Sequence, residues 1–460
     1  METKRPRPPN ERRLLDGRRR PRVAFFPLIS MAARGHEPVS VEDASGAQGL
    51  GGGDGSAPRS LLIVTHVFPP DSASLGQHMA DVAATMRQRG WAVTVLTGGR
   101  DFDDPSKRFE STTLADGTRV IRLPLSSFGK ASLAHRVLGA SLFTAQAATR
   151  IFLGRRPDLL LVSDAPPFAP FLGPAARVLR GIQYVYWVMD INPDQLVALR
   201  AVSERSLITR AWRWLNRQVY RRAQTVVVLD RFMHQRAVKQ GASLKTTRIL
   251  PPWPHDEHLD APPDEVARFR REHGLDGRFV VMYSGNHAAS HPLTTLLDAA
   301  EHLQGDDRFV FLFVGGGAGK RDVEARRLRN VRSLEYQPLE KLGATLRAAD
   351  LHVVTMRDQM VGIVHTCKVY GIMSVGKPFI FFGPPESHVT DLIHESASGW
   401  AARHDDVEGA IALIRRAAES PAALVEKGRS GRELVERKLS QEHLRRELCD
   451  VLEASAAPKK

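Results

Sequence analysis

Residues 362–378 read Gly-Ile-Val-His-Thr-Cys-Lys-Val-Tyr-Gly-Ile-Met-Ser-Val-Gly-Lys-Pro and join a loop to a short predicted helix. Gly362 lets the backbone approach a ligand closely, and Lys368 falls in the first helical turn, where free N–H groups attract negative charge. Gly376 and Pro378 end the helix, and residues 379–382 form an apolar run typical of a buried parallel strand. The stretch predicts an anion site in an α/β domain, although an ordinary helix-to-strand connection with one solvated lysine has the same pattern.

The alternation of apolar runs and helical spacing extends over most of the chain. Strands are predicted at residues 279–284, 309–314, 331–336 and 351–356, and an earlier βαβ unit begins with the run at residues 60–66. The clustered prolines of Pro251-Pro252-Trp253-Pro254 interrupt both patterns and mark a boundary between two units. The sequence therefore predicts an α/β protein with two doubly wound parallel-sheet lobes that face a cleft.

We expect four segments along the chain. Residues 1–58 are rich in Arg, Pro, Gly and Ser and cannot bury enough apolar surface to offset the entropy of ordering, which predicts a disordered extension. A basic tail that contacts a membrane or nucleic acid is the alternative. The first lobe is expected at 59–254, the second at 255–430, and a C-terminal helix and tail that pack back toward the first lobe at 431–460.

The composition restricts the classes of partner. The 460 residues are 42% hydrophobic, enough for two cores, and carry a formal charge of +14, which implies an anionic partner. A nucleic acid is disfavoured because the basic residues are not interleaved with stacking aromatics. Cys367 and Cys449 are too few for a disulfide framework or a cysteine-rich metal site, which predicts a reducing cytoplasm. No apolar run is long enough for a transmembrane helix.

Two basic amphipathic helices are predicted in the first lobe, at 131–153 and 207–222. The second carries Trp212 and Trp214 among several arginines. Helices of this composition suit an anionic membrane surface, where tryptophan and arginine reach the headgroups. Alternatively, their apolar faces pack on the sheet and the arginines are merely solvated.

The first lobe offers two further candidate regions. Asp190-Ile-Asn-Pro-Asp194 follows a predicted strand and could hold an acceptor hydroxyl or help a proton leave, but it could equally be an Asp-rich turn with a helix cap. The loop 71–76, which ends at Gly76, lies where the first strand meets a helix, the usual ligand edge of an open α/β sheet. It lacks the G-x-G-x-x-G fingerprint, so an NAD site is unsupported.

Five motifs taken together resemble the retaining glycosyltransferases of family 4, which have the GT-B fold, and especially bacterial enzymes of surface-polysaccharide assembly. The motifs are Phe68-Pro69-Pro70 with Gly76, Asp190-x-x-Pro193-Asp194, Tyr283-Ser284-Gly285-Asn286, Val314-Gly315-Gly316-Gly317 and the run from Lys368 to Pro378. The last two, in this order and spacing, are the specific ones. The match covers about residues 60–455.

The resemblance implies that the second lobe binds a nucleotide-diphosphate sugar, with a UDP-sugar favoured, and that the first lobe holds a lipid-linked or glycan acceptor, without cofactor or metal. Lys368 would neutralise the departing diphosphate, and the acceptor hydroxyl would approach near Asp190 and His66. The implied donor site comprises Gly285, Asn286, His287, Gly315, Gly316, Gly317, Gly362, His365, Lys368 and Tyr370, and the acceptor-side loop comprises Gly76 and Asp194. Such an enzyme is expected in the cytoplasm, at the inner face of the plasma membrane.

The sequence also departs from the family pattern. Many relatives carry a Glu-x(7)-Glu pair, and here Ile363 and Gly371 occupy those positions. The basic residue usual after Ser-Gly-Asn is missing as well, which suggests a divergent subgroup in which His287, His291 or His365 supplies polar contacts, or else an impaired enzyme. A catalytically silent nucleotide-sugar-binding or scaffold protein and a nucleotide-sugar epimerase are therefore the alternatives.

Overall fold

The computed structural model describes residues 57–71, 73–101, 104–128, 133–255 and 258–456, and these form two α/β lobes. The first lobe contains an eight-stranded sheet and the second a six-stranded sheet. All of their strand pairs are parallel except one antiparallel pair at an edge of the first sheet. The predicted fold class is thereby confirmed. Nearly all of the predicted N-terminal extension lies outside the described residues.

The first sheet has the strand order β3-β4-β2-β1-β5-β6-β7-β8. Its strands are β1 (Ser60–Val64), β2 (Ala92–Gly98), β3 (Thr112–Thr113), β4 (Arg119–Leu123), β5 (Leu159–Ser163), β6 (Gln183–Trp187), β7 (Thr225–Val228) and β8 (Thr247–Ile249). The helices of this lobe are α1 (Ser74–Gln88), α2 (Leu133–Leu153), α3 (Leu172–Arg180), α4 (Asp194–Ala198), α5 (Leu207–Arg222) and α6 (Arg231–Lys239). Because β1, β5 and β6 are parallel neighbours, the loops that follow them lie at one edge of the sheet.

The second sheet has the strand order β11-β10-β9-β12-β13-β14. Its strands are β9 (Phe279–Ser284), β10 (Phe309–Val314), β11 (Val331–Leu334), β12 (Leu351–Thr355), β13 (Phe379–Phe382) and β14 (Gly399–Ala402). Its helices are α7 (Pro263–Glu272), α8 (Thr294–His302), α9 (Lys320–Ala325), α10 (Leu342–Arg347), α11 (Lys368–Ser374), α12 (His388–Ser396), α13 (Val407–Ala418) and α14 (Pro421–Leu434). The strand order reverses between β9 and β12, and open α/β sheets bind ligands in the crevice at such a point.

Strand β10 shows why the second sheet is buried on both faces. Successive side chains of a strand point to opposite faces, so Phe311 and Phe313 lie in one hydrophobic cluster and Val310 and Leu312 in another. All four are at most 2% exposed. A strand of this kind reads as a continuous apolar run, which is why the sequence pattern identified it.

A last helix, α15 (Gln441–Ala456), returns to the first lobe and packs on α1 and β6. It buries Leu448 and Leu452 completely, and Arg89, which directly follows α1, forms an ion pair with Asp450 at 2.6 Å. The predicted domain boundary at 431 falls inside α14, because that helix continues to Leu434 and the chain then crosses in a short π-helical turn.

One carboxylate ties both crossings between the lobes to the first lobe. Asp81 of α1 accepts a hydrogen bond from the indole N–H of Trp253 at 2.8 Å and another from the Gln441 amide at 3.2 Å. Trp253 belongs to the proline-rich first crossing, and Gln441 follows the second. The two crossings therefore meet at the same point on α1.

A second carboxylate, the buried Asp230, joins the lobes directly. It caps α6 by accepting the Met233 N–H at 2.7 Å, and its other oxygen lies 2.8 Å from Nδ1 of His365 and 3.8 Å from Nδ1 of His388 in the second lobe. Burial alone would raise the pKa of Asp230, but the hydrogen bond from His365 and the nearby His388 hold the pKa well below its ordinary value. The charged form of Asp230 thus stabilises the contact between the lobes.

We predict that Asp230→Asn lowers the free energy of unfolding by about 3 kcal/mol at neutral pH, because it removes one partner of a buried charged contact. Asparagine still caps α6, so the loss reports on the histidine contacts. The control is Asp391→Asn, which breaks an exposed ion pair between the lobes, to Arg231, and is expected to cost less than about 1 kcal/mol. Urea unfolding measures both variants, and equal losses would contradict the prediction.

Candidate active site

A cleft between the lobes brings together polar side chains from both sheets. It is lined from the first lobe by Asp190 and Gln195, which follow β6, and from the second lobe by Asn286, His291 and the segment 364–368. These residues follow β6, β9 and β12 at the carboxyl ends of the strands. The structure thus brings four of the predicted site residues, Asp190, Asn286, His365 and Lys368, to one place.

Lys368 is the cationic group of this cleft. Burial lowers the pKa of Lys368 to about 8, and the described residues contain no carboxylate within ion-pair distance of its Nζ. The Nζ atom lies 5.3 Å from the centre of the Tyr283 ring. Because α11 has only 7 residues, the lysine rather than the helix dipole supplies most of the positive charge. An uncompensated, half-desolvated ammonium group is suited to an incoming anion.

Gly285 makes room for this lysine. A Cβ atom at Gly285 would lie 2.4 Å from Cε of Lys368, and the glycine adopts a φ of +124° that other residues rarely reach. The glycine therefore serves the close approach of the lysine side chain. Substitution would push Lys368 out of its present position.

The glycines after β10 support the loop after β9. A Cβ atom at Gly315 would lie 2.2 Å from the carbonyl oxygen of Gly285, and one at Gly317 would lie 2.3 Å from Oδ1 of Asn286. The carbonyl oxygen of Gly316 accepts the backbone N–H of His287 at 2.7 Å. The structure shows that Gly315, Gly316 and Gly317 allow two loops to fit together. Their contact with the nucleoside stays a prediction.

Two polar side chains in the loop after β9 have unused hydrogen-bonding capacity. Asn286 lines the cleft, and its side-chain amide makes no hydrogen bond to another described residue. His287 donates from Nδ1 to the Gly316 carbonyl at 3.1 Å, while its Nε2 is buried without a partner among the described residues. Burial lowers the pKa of His287 to about 4, so this ring is neutral at physiological pH.

On the opposite wall, Asp190 is paired with a carboxylate that the sequence did not single out. Asp164 follows β5 directly, and its two oxygens accept the backbone N–H groups of Met189 at 2.9 Å and of Asp190 at 3.1 Å. Burial raises the pKa of Asp164 to about 6, and burial together with Asp164 raises the pKa of Asp190 well above its ordinary value. The pair can hold and release a proton near neutral pH. The available sequence signal was the acidic residue at the end of β5.

His66 was predicted to lie near the attacking hydroxyl, and the structure does not place it there. It is buried in the first lobe, where its Nε2 donates to the carbonyl of Ser126 at 2.8 Å and its ring packs edge-on against Phe143. Burial lowers the pKa of His66 to about 4. The residue does not line the cleft, so it acts as a neutral core histidine.

The predicted acceptor-side residues also have structural contacts. The Asp194 carboxylate accepts hydrogen bonds from Arg213 at 2.9 Å and Gln240 at 2.8 Å, and it does not line the cleft. Its neighbour Gln195 does. Gly76 lies in the first turn of α1, where a Cβ atom would come within 3.1 Å of the Phe68 backbone. Contrary to the prediction, Asp194 and Gly76 thus make contacts that stabilise the first lobe.

Gly362 has a different function from the predicted one. A Cβ atom there would lie 2.6 Å from the carbonyl carbon of Phe232 in α6, and the residue adopts a φ of +66°. The close approach is therefore between the lobes and not toward a ligand. The next residue, Ile363, is 3% exposed in the core, and its carbonyl accepts the Ile191 N–H at 2.9 Å. A carboxylate at position 363 would be buried in apolar surroundings.

His365 and Tyr370 extend the Asp230 contact toward the cleft. The Tyr370 hydroxyl lies 2.7 Å from Nε2 of His365, whose Nδ1 bonds Asp230. Tyr370 is itself buried and does not line the cleft. These hydrogen bonds fix the segment that precedes Lys368, so Tyr370 supports the candidate site from behind.

Within the described parts of the chain, Asp230, His365 and His388 are the one group with the spacing of a metal site. The Thr366 N–H donates to Nε2 of His388 at 3.0 Å, which leaves the ring proton of that histidine on Nδ1, facing Asp230. A metal would need this same Nδ1 without its proton. The hydrogen bonds thus satisfy the cluster as it stands and oppose metal binding.

Comparison with known proteins finds a family match in each lobe. Residues 75–253 match the family described as glycosyl transferase 4-like domain, and residues 278–420 match glycosyl transferases group 1. The putative colanic acid biosynthesis glycosyl transferase WcaI of Escherichia coli K12 is 23% identical in an alignment of 414 positions that covers 85% of this chain and 98% of that protein.

Solved structures share the fold. Sucrose-phosphate synthase from Thermosynechococcus elongatus superimposes with a TM-score of 0.68 at 16% identity and covers 86% of this chain and 98% of its own. HepE from Anabaena, solved in complex with UDP-glucose, gives a TM-score of 0.62 at 15% identity and covers 86% of this chain and 99% of its own. The two lobes therefore have the GT-B arrangement.

We predict that Asp190→Asn raises the melting temperature at about pH 7.5. A carboxyl group whose pKa is raised by folding costs stability as the pH rises above its ordinary pKa, so the amide removes a penalty that is absent near pH 4. The control is Asp194→Asn, which breaks the ion pair with Arg213 and should lower the melting temperature at about pH 7.5. A lower melting temperature for Asp190→Asn at about pH 7.5 would refute the raised pKa.

Proposed function

We propose that this chain is a glycosyltransferase of the family 4 type, which moves a sugar from a nucleotide-diphosphate donor to a lipid-linked or glycan acceptor, with retention and without a metal. The observation that carries the proposal is the distribution of charge across the cleft. An ammonium group without a carboxylate partner, Lys368, stands on the second lobe, and the Asp164–Asp190 pair stands on the first. A diphosphate and a hydroxyl are the groups that this arrangement complements.

On the donor side, negative charge develops on the diphosphate as its bond to the anomeric carbon breaks. A fixed cation in a water-excluded site stabilises this charge, and such electrostatic terms are usually the largest in catalysis. Lys368 occupies this position, and its side chain is held against Gly285. The amide of Asn286, which has no other hydrogen bond within the described structure, is available to the donor as well.

On the acceptor side, Asp190 receives the proton of the attacking hydroxyl as the new bond to the anomeric carbon forms. A carboxylate with a raised pKa is a stronger base, so the contact with Asp164 assists this step. The second lobe offers no carboxylate nucleophile at Ile363 or Gly371. We therefore favour attack from the face that the diphosphate leaves, without a covalent intermediate.

The relatives support the choice of substrates. WcaI is named for colanic acid biosynthesis, and HepE was solved with UDP-glucose. An acceptor that is a growing polysaccharide or its lipid-linked precursor and a UDP-sugar donor fit both names. The site of action would be the cytoplasm, at the inner face of the plasma membrane.

One surface of the first lobe has the composition expected for contact with the inner face of the plasma membrane. Helix α3 contacts both α2 and α5 and joins them into one surface, which we call the helical face. Its most exposed apolar side chains are Leu153, Val178, Leu179, Leu207, Ile208 and Trp214, and its exposed arginines on α5 are Arg210, Arg217, Arg221 and Arg222. Apolar and cationic side chains on one face favour an anionic membrane surface. None of the described helices is long and apolar enough to cross a membrane.

We predict that Lys368→Ala lowers turnover by about 100-fold or more, because it removes the cation that stabilises the leaving group. The control is Lys377→Ala, a lysine of the same sequence motif that does not line the cleft and should retain most of the activity. A thermal-shift screen of nucleotide sugars identifies the donor, and the release of nucleoside diphosphate gives the rate. Near-wild-type activity of Lys368→Ala would refute the assignment.

The same assay separates the proposed function from its alternatives. Transfer to an acceptor with an unchanged anomeric configuration, seen by NMR and insensitive to EDTA, is the expected result. Conversion of the donor without an acceptor would indicate an epimerase, and binding without turnover for every donor would indicate a silent binding protein.

We predict that the protein floats with vesicles that contain phosphatidylglycerol and that Ile208→Ala with Trp214→Ala abolishes most of this binding, because both exposed side chains lie on the helical face. The control is Val425→Ala, which removes a side chain that is 72% exposed on the second lobe. If the double variant floated as well as the control, the proposal that the helical face binds a membrane would be contradicted.

A further inference from the structure

The cleft has less positive charge than a nucleotide-diphosphate sugar needs. The diphosphate of such a donor carries two negative charges, whereas Lys368 is the one lysine or arginine among the described residues that line the cleft. Burial keeps the pKa of Lys368 near 8, so this single charge is itself not strongly held. A second cationic group is required close to Lys368 if the bound anion is to be neutralised within the second lobe.

His291 lies at the right place and has one free ring nitrogen. It lines the cleft, and its Nδ1 is 2.6 Å from the carbonyl oxygen of Thr355. A carbonyl oxygen only accepts, so Nδ1 carries the proton and Nε2 of the neutral ring bears a lone pair. Nε2 makes no hydrogen bond to any residue in the described part of the chain. A lone pair would repel a phosphate oxygen, but an N–H at the same atom would bind it.

The groups around His291 explain why it is neutral before a ligand enters. Burial is the main cause of its lowered pKa, followed by the charge of Lys368, and His388 adds to the effect. The backbone of Arg357 bonds the neighbouring Ser290, which brings one more cation to this loop. His365, Cys367 and Asp190 line the same cleft. A bound diphosphate would outweigh these cations and reverse the sign of the local potential.

We infer that His291 is a binding residue that takes up a proton as the donor enters and then donates from Nε2 to an oxygen of the diphosphate. The inference rests on the proposed function, since it requires a nucleotide diphosphate in this cleft. The other cleft histidines lack a free nitrogen. Both nitrogens of His365 are bonded, to Asp230 and Tyr370, and those of His78 face the carbonyls of Ser74 and Trp253.

Proton uptake has a direct consequence for affinity. Because the bound state holds one more proton than the free state, the affinity for the donor must rise as the pH falls toward neutrality. Lys368 contributes little to this linkage, since a group with a pKa of about 8 is already about 90% protonated at pH 7 and can take up only about 0.1 proton. Proton uptake by Lys368 and by His291 is therefore separable by number. Uptake by the Asp164–Asp190 pair would persist in a variant that lacks the His291 imidazole.

The experiment is isothermal titration calorimetry of UDP-glucose into the full chain at about pH 7, in two buffers of different ionisation enthalpy. The diphosphate of this probe does not titrate in this range, so the buffer dependence counts the protons taken up by the protein. We expect an uptake of about half a proton or more per bound donor. GDP-mannose and dTDP-glucose replace UDP-glucose if that donor does not bind.

His291→Asn is the informative variant. The amide of asparagine can still donate to the Thr355 carbonyl as Nδ1 does, but it has no group at the position of Nε2. We expect the uptake to fall to about 0.1 proton and the affinity to fall about 10-fold at pH 6.5, with a smaller loss at pH 8.5. The control is His404→Gln, which removes an imidazole outside the cleft whose Nε2 bonds the Met356 carbonyl.

Each outcome of the calorimetric titrations either supports or overturns the inference about His291. Binding of the donor to the unmodified chain without proton uptake would overturn the inference and leave the proposed function intact. Undiminished uptake in a folded His291→Asn variant would also overturn it, because another group would then take the proton. If none of the three donors binds, the proposed function fails and the inference fails with it.

Discussion

The buried carboxylate of Asp230 is the contact on which the rest of the site depends. It caps α6 in the first lobe and bonds His365 of the second lobe, and His365 in turn bonds Tyr370. These three hydrogen bonds span the lobes and fix the segment that leads into Lys368. The lowered pKa of Asp230 shows that the carboxylate is charged over the whole physiological range. The position of Lys368, the proposed catalytic cation, is thus set by a contact with the other lobe.

The two walls of the cleft have opposite electrostatic character. On the first lobe, burial raises the pKa of both Asp164 and Asp190, and Asp164 raises that of Asp190 further. On the second lobe, burial lowers the pKa of both Lys368 and His291, and the charge of Lys368 lowers that of His291 further. Each wall alone is electrostatically unfavourable, because burial and the neighbouring group disfavour the charged form of Asp190 on one wall and of His291 on the other. Under the proposed function, a donor diphosphate would relieve the second wall and an acceptor hydroxyl would use the first. Active sites frequently have such strained charge arrangements.

The sequence predicted the fold well because parallel strands buried on both faces are apolar throughout, as β10 and β13 show. Asp190 was singled out because it follows a recognisable strand end, and Lys368 because it begins the short helix after the glycine-containing loop. Asp194, by contrast, was misassigned because its partner Arg213 lies on another helix, and Gly362 because its neighbour Phe232 belongs to the other lobe. Asp164 was missed for a similar reason, since only the sheet order places it beside Asp190. Contacts between distant segments leave no local pattern.

The return of α15 to the first lobe affects the order in which the protein can be completed during synthesis. The first lobe is translated before the second, yet its hydrophobic core includes Leu444, Leu448 and Leu452, which emerge from the ribosome after the whole second lobe. Until then, the surface of α1 and β6 that α15 covers is exposed to solvent and to other chains. The first lobe is therefore synthesised first but completes its core last. The surface of α1 and β6 that α15 covers stays exposed while the second lobe folds.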